Sequence, residues 1–241
     1  MFENELKKYL SKYGFEALDL KAVLFDMDGV LFDSMSYHAK AWAQVCNECG
    51  LAIDSAEPYL HEGRTGASTI DIFAQRFWGR PATEEEKRNI YARKCRVFNA
   101  FPEAPRMPGA EKLLAKLKAE GITIAVVTGS GQESLLTRLN NGYNGFFRKE
   151  LVVSSHDTFR GKPAPDPYLK GLEKCGVRPD EAVVVENAPL GVRAAVAAGV
   201  FTIAVNTGPL DPKTLSDEGA NVVFPSMQAL ADAWPLFTGQ K

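Results

Sequence analysis

Two aspartates, Asp26 and Asp28, follow the apolar run Ala22–Phe25 and precede Gly29. The run reads as a strand buried on both faces, as inside a parallel sheet, and Gly29 frees the backbone to turn directly after it. An unpaired buried carboxylate is costly and two side by side cost more, so a positive partner belongs between them. A hard dication with oxygen ligands meets that need. Turn capping, a common use of Asp after a strand, accounts for one aspartate but not for the pair. The carboxyl end of a buried strand is also where open α/β sheets take their ligands.

Other groups stand at comparable places. Thr128-Gly129-Ser130-Gly131 follows the apolar stretch 122–127 and leads into a helix, so its hydroxyls and free N–H groups suit an anion. A plain helix cap with a flexible loop is the alternative. Lys162 precedes Pro163-Ala164-Pro165-Asp166-Pro167. Most lysines are surface residues, but three prolines present this one from a rigid platform at a helix entry, able to neutralise carboxylates and a bound anion together. Glu186-Asn187 closes a strand-like run at 182–185, and Asn187 also suits a helix cap.

These residues need elements to hold them. From residue 110 onward helix and strand alternate: helix 110–120, strand 122–127, helix 132–139, strand 150–153, helix 166–175, strand 182–185, helix 190–198 and strand 201–205. A strand at 222–224 and a helix at 227–234 complete the pattern, which implies a doubly wound parallel sheet covered on both faces. No strand-like stretch falls between residues 36 and 105. A helix at 37–49 capped from Ser34-Met35-Ser36, a mixed stretch 51–68, a helix at 69–78, and a third begun by a Thr83/Glu86 capping box make a helical bundle. The expected organisation is an α/β core of residues 1–33 and 106–241, with a helical cap of residues 34–105 inserted after the first strand. Pro102, Pro105 and Pro108 mark the return hinge. Phe2, Leu6, Tyr9, Leu10 and Tyr13 give an amphipathic N-terminal helix lying on the main body. Trp78, Phe98 and Phe101 suit either the cap–core seam or the bundle interior.

A chain of 241 residues, 45% hydrophobic and with net charge -2, is a soluble globular protein without a basic surface for nucleic acid or anionic membrane. No apolar run approaches the roughly 18 residues that span a bilayer, and the N-terminus lacks the apolar core of a signal peptide. A cytoplasmic monomer is expected. Cys46 and Cys49 fall within a helical pattern with no second Cys or His pair nearby, so they, Cys95 and Cys175 are assigned to packing.

The stretch from Asp26 to Val30 resembles the first motif of the haloacid dehalogenase superfamily, most of whose members transfer phosphoryl groups through an aspartyl phosphate. Thr128 matches its second motif, Lys162-Pro163-Ala164-Pro165 is close to its third, and Glu186-Asn187 stands where the family usually carries two acids. The resemblance covers everything but the N-terminal helix. It implies a Rossmann-like core with an inserted cap, Asp26 as nucleophile and Asp28 as acid and base. It also implies Mg²⁺ held by Asp26, the Asp28 backbone carbonyl, Glu186 and Asn187, with Thr128, Gly129, Ser130 and Lys162 cradling the phosphate. Asn187 substitutes a neutral carbonyl for one acid, so the metal site carries less charge.

Tyr37-His38 and Trp42 after the first motif look like the β-phosphoglucomutase-like branch. That branch uses a Lys-Gly-x-Ser-Arg run in its cap, whereas this chain has Glu62-Gly63-Arg64-Thr65-Gly66. Glu62 facing the site would repel a second phosphate unless a metal or proton intervenes; otherwise it is a solvated loop acid. The acid resembles a subset of the branch that hydrolyses inorganic pyrophosphate, with Arg64 holding the leaving phosphate. His38 either assists proton transfer, as its counterpart does in the mutases, or is a half-buried helix residue. The expected function is a Mg²⁺-dependent phosphohydrolase for a small phosphorylated substrate, pyrophosphate first. One alternative is β-phosphoglucomutase, interconverting β-glucose 1-phosphate and glucose 6-phosphate, with which His38 and Lys94 agree. The other is a catalytically inactive phosphate-binding regulatory module, favoured by Asn187 alone.

Overall fold

The computed structural model describes residues 2–131 and 135–237. β1 (Ala22–Phe25) is apolar and buried at every position, which fits it only for the middle of a sheet. It lies between β2 (Thr123–Val127) and β4 (Ala182–Glu186), and the six strands run parallel in the order β3-β2-β1-β4-β5-β6. β3 (Val152–Val153) closes one edge, and β5 (Phe201–Val205) with β6 (Val222–Phe224) the other. Phe25 is paired with Val126 on one side and Val185 on the other. This register brings Asp26 and Thr128, just past their strands, and Glu186, the last residue of β4, to one end of the sheet. The strand order reverses there, the position at which open α/β sheets bind ligands.

Two apolar layers cover the sheet. On one face α1 (Phe2–Tyr13), α6 (Ala110–Ala119), α7 (Leu135–Gly142) and α11 (Met227–Phe237) supply Tyr9, Leu113, Leu139 and Trp234. On the other, α8 (Asp166–Cys175) and α9 (Pro189–Ala197) bring Tyr168, Leu172 and Ala194 against Leu24 and Val184. α10 (Pro212–Asp217) supports the β6 edge through Leu215. Between β1 and α6 the chain makes α2 (Met35–Glu48), α3 (Glu57–Leu60), α4 (Gly66–Trp78) and α5 (Glu84–Asn99), which bury their own cluster of Val45, Cys46, Ile70, Phe73 and Ile90.

Sequence and structure differ at informative places. The second insert helix begins at Gly66, not 69, because the Thr65 side chain caps it by accepting from the Ser68 N–H at 3.3 Å. The Thr83/Glu86 capping box forms as read. Ser34 occupies the α2 cap position but makes no cap bond, since its hydroxyl is committed elsewhere, to Asp28. α3 and α10 are too short to show a period, and their signals are a proline each and a preceding aspartate, Asp54 or Asp211, that accepts from backbone N–H groups at the helix start. Of the helix expected at 132–139, residues 132–134 lie outside the described residues and Leu135 onward is helical. Phe98 lies at the seam between insert and core, against His38 and Arg138, whereas Trp78 packs against the insert's own apolar cluster.

Candidate active site

Asp26 follows β1 directly and is 4% exposed. Lys162, delivered from the proline-rich entry to α8, lies fully inside the protein and places Nζ 2.5 Å from Asp26 Oδ1 and 2.6 Å from Glu186 Oε1. The Val127 carbonyl takes a third hydrogen from the same ammonium at 3.0 Å. Tyr168, one helical turn into α8, donates its hydroxyl to Glu186 Oε1 at 2.8 Å, and the Asn187 and Ala188 N–H groups donate to Oε2 at 2.9 and 3.0 Å. Glu186 is thus held on both oxygens, and in this arrangement it orients the lysine and offers no free lone pair to a metal. Burial raises the Asp26 carboxyl to about 7, opposed by the Lys162 ammonium and reinforced by Glu186. One ammonium between two buried carboxylates leaves net negative charge, which a dication would balance.

The donor set fits such an ion. Asn187 Oδ1 is buried with no hydrogen-bond partner among the described residues, an oxygen left over in a site where others are satisfied. Its Nδ2 donates to Glu62 Oε1 at 2.7 Å, which brings the insert's acid onto the core. A Cβ at Gly29, already at φ +84°, would strike Asn187 Nδ2, so only glycine lets these groups meet. Glu62 is pushed well above the usual carboxylate range by burial, with Asp26 and Glu186 adding to the effect and the Asn187 bond opposing it. Among the described residues no three His, Cys, Asp or Glu side chains form a metal cluster of their own. The site is a mixed one of carboxylate, amide and backbone oxygens, the chemistry that hard dications accept.

Asp28 faces the insert. Its Oδ1 takes the Ser34 hydroxyl at 2.5 Å, and His38 Nε2 lies 3.1 Å away, off the ideal hydrogen-bond direction. Lys94 Nζ stands 2.6 Å from His38 Nδ1. An ammonium only donates, so Nδ1 accepts and the imidazole proton sits on Nε2, toward Asp28. Burial and Lys94 push His38 down to about 4, so it is neutral at pH 7. Burial alone would raise Asp28, but His38, Arg138 and Ser34 together hold it well below the usual carboxylate range.

These groups enclose one cavity of about 70 Å³. Thr128, Gly129 and Ser130 form its core-side rim, and His38, Glu62, Arg64 and Lys94 its insert side. The Thr128 hydroxyl accepts from the Ser130 N–H at 3.1 Å, shaping the turn after β2. Every residue singled out in the sequence therefore surrounds the cavity except Lys162, Glu186 and Asn187, which lie behind Asp26 and Glu62. Two residues at the site had no signal in the sequence. Tyr168 looks like a packing aromatic of α8, and Arg138 like a surface residue of α7.

A haloacid dehalogenase-like hydrolase family model matches residues 20–199. The chain belongs to that family. Hexitol phosphatase A of Escherichia coli is 34% identical over 198 residues, 82% of this chain and 88% of the relative. The β-phosphoglucomutase of Bacillus subtilis is 28% identical, over 78% and 84% of the two chains. A solved structure from Bacteroides vulgatus, provisionally assigned as a β-phosphoglucomutase, superposes with a TM-score of 0.96 at 52% identity, covering 99% of this chain and 97% of that one. As a family member the chain is an enzyme of hydrolase or phosphotransferase type. Among the described residues no helix is long and apolar enough to cross a membrane.

Proposed function

We propose that this family member is a Mg²⁺-dependent phosphohydrolase that forms an aspartyl phosphate on Asp26, with inorganic pyrophosphate as its substrate. The observation that carries the reading is the Glu62 carboxyl docked on Asn187. It sets an acid where a sugar bisphosphate would need a cation, and that acid is compatible with a diphosphate sharing metal charge. The cavity supports an anionic occupant, because Arg64 and Lys94 line it opposite the turn of Thr128, Gly129 and Ser130. Arg64 supports the diphosphate as well, since its Nε is buried beside the same cavity with no partner among the described residues.

Asp26 attacks phosphorus in line while Lys162 neutralises the nucleophile and the phosphoryl oxygens. Thr128 and the turn that follows cradle the transferred group, and Arg64 takes the departing phosphate. Asp28 then draws a proton from the water that clears the aspartyl phosphate. Mg²⁺ would be held by Asp26, the Asp28 carbonyl and Asn187 Oδ1 with Glu62 beside them, and when bound it supplies charge neutralisation at the phosphoryl oxygens.

A second reading, β-phosphoglucomutase, is favoured by one observation, the buried Lys94–His38 pair facing Asp28. Purified protein with Mg²⁺ offered pyrophosphate, hexitol and other phosphate monoesters, and β-glucose 1-phosphate with its bisphosphate separates the readings. Phosphate release from pyrophosphate at the highest kcat/KM is expected; glucose 6-phosphate formation would favour the mutase, and preference for a monoester would replace pyrophosphate with that ester. E62K is expected to lower kcat/KM for pyrophosphate by about 10-fold or more, in line with the loss of an outer metal partner. An unchanged value would make the acid a bystander.

A further inference from the structure

Arg138 belongs to none of the motifs, yet it reaches the reacting end of the sheet. Its side chain is only 12% exposed, and the guanidinium lies between the Phe32 ring at 5.4 Å and the Phe98 ring at 5.2 Å. Nη2 stands 3.4 Å from Asp28 Oδ1, and Nη1 is buried with no partner among the described residues. The two rings and the buried arm confine the guanidinium beside Asp28. Ser34 and His38 approach the same oxygen. Among the described residues all donors to Asp28 meet Oδ1, which leaves Oδ2 for the cavity that Asp28 lines.

These donors differ in where they are anchored. His38 and the Phe98 ring sit on insert helices, whereas Arg138 sits on α7 of the sheet layer. His38 is a neutral donor with poor alignment. Arg138 is a cation anchored in the same layer as the reacting strand ends.

We infer that Arg138 is a positioning residue for the second half-reaction, holding Asp28 by Oδ1 so that Oδ2 meets the water that attacks the aspartyl phosphate. The inference rests on the aspartyl-phosphate reading above. In that step the water oxygen bonds to phosphorus as one water proton passes to Asp28 Oδ2. The bond between phosphorus and the Asp26 oxygen breaks, its electron pair returns to the Asp26 carboxylate, and inorganic phosphate departs. The first half-reaction makes no such demand when the leaving group departs as a stable anion.

The test uses the full chain with Mg²⁺ and p-nitrophenyl phosphate, whose nitrophenolate leaves without a proton. The R138M variant is expected to lower kcat by about 10- to 100-fold, to lower KM in step, and to keep kcat/KM within about two-fold. Nitrophenolate should appear in a pre-steady-state burst as phosphoenzyme accumulates. R138K, which keeps the charge and stem, should show a milder form of the same split and stands in if R138M melts early. A fall in kcat and kcat/KM together, no change in either, or no burst overturns the inference. Failure of the underlying reading is seen separately, because the wild-type chain would then form no phosphoenzyme with this substrate.

Discussion

Asp26, Lys162 and Glu186 form a buried chain of charges whose order decides the chemistry. Lys162 is pinned by two carboxylates and a carbonyl, so it stays an ammonium aimed at the phosphoryl group. D26N leaves Lys162 its partner Glu186 and should fold normally, with a melting temperature within a few degrees of wild type. Phosphate release should fall by about 10³-fold or more; a wild-type rate would remove Asp26 as nucleophile. Lys94 gives a pH signature. Burial between the Trp42 and Phe98 rings lowers its ammonium to about 8. The charge is present below that pH and lost above it, so KM for an anionic substrate should rise between pH 7 and 9. In K94M that rise should vanish, and a rise persisting there would assign it to another group. At this scale the sequence exposed the residues whose types are rare in their setting: paired aspartates after an apolar strand, a lysine among prolines. It hid Tyr168 and Arg138, because a tyrosine or arginine in a helix is ordinary until its partner, 18 or 110 positions away, is known.

Elements place these side chains by their ends. β1, β2 and β4 stop in register, and their last residues deliver Asp26, Thr128 and Glu186 to one edge. Thr65 starts α4 early, which draws Glu62-Gly63-Arg64 tight against the sheet. The fit there depends on Gly129, where an added Cβ would stand 2.5 Å from the Gly63 carbonyl oxygen and 2.9 Å from that of Arg64. Both obstacles are backbone and cannot turn aside. G129A should therefore hold the insert off the core and lower kcat/KM by about 10²-fold. Its melting temperature should stay level or rise slightly, since an alanine removes unfolded-chain freedom worth about 0.4–1 kcal/mol. A variant that melts early instead would mean the strain is absorbed in the core. Periodicity and caps were readable for most helices. α3 and α10 were not, being one or two turns long with too few residues to show a period.

Across the whole molecule, α1 acts as a clasp outside the span matched by the family model. Tyr9 is 1% exposed, its ring meets Phe201 edge-on at 5.3 Å, and its hydroxyl reaches the Gly199 carbonyl at 2.9 Å. Y9A should cost about 3–5 kcal/mol, as large aromatic truncations do, lowering the melting temperature by roughly 2–4 °C per kcal/mol. Y9F should cost only about 1 kcal/mol, the net worth of one hydrogen bond. A small effect of Y9A would mean α1 is an ornament. The larger assembly is a sheet edge and a helical insert that share one cavity, with Glu62 on Asn187 joining them.

The sequence by itself determined the alternation of strands and helices, the helical insertion after β1 and the identity of the residues along the sheet edge. Those follow from local periodicity, breakers and the cost of burying charge, all of which a linear chain records. Only the tertiary structure decided that Glu186 orients Lys162, that Asn187 keeps a spare oxygen and that Arg138 reaches Asp28. Such assignments depend on which lone pairs are already taken, and that is settled by neighbours brought together from distant parts of the chain.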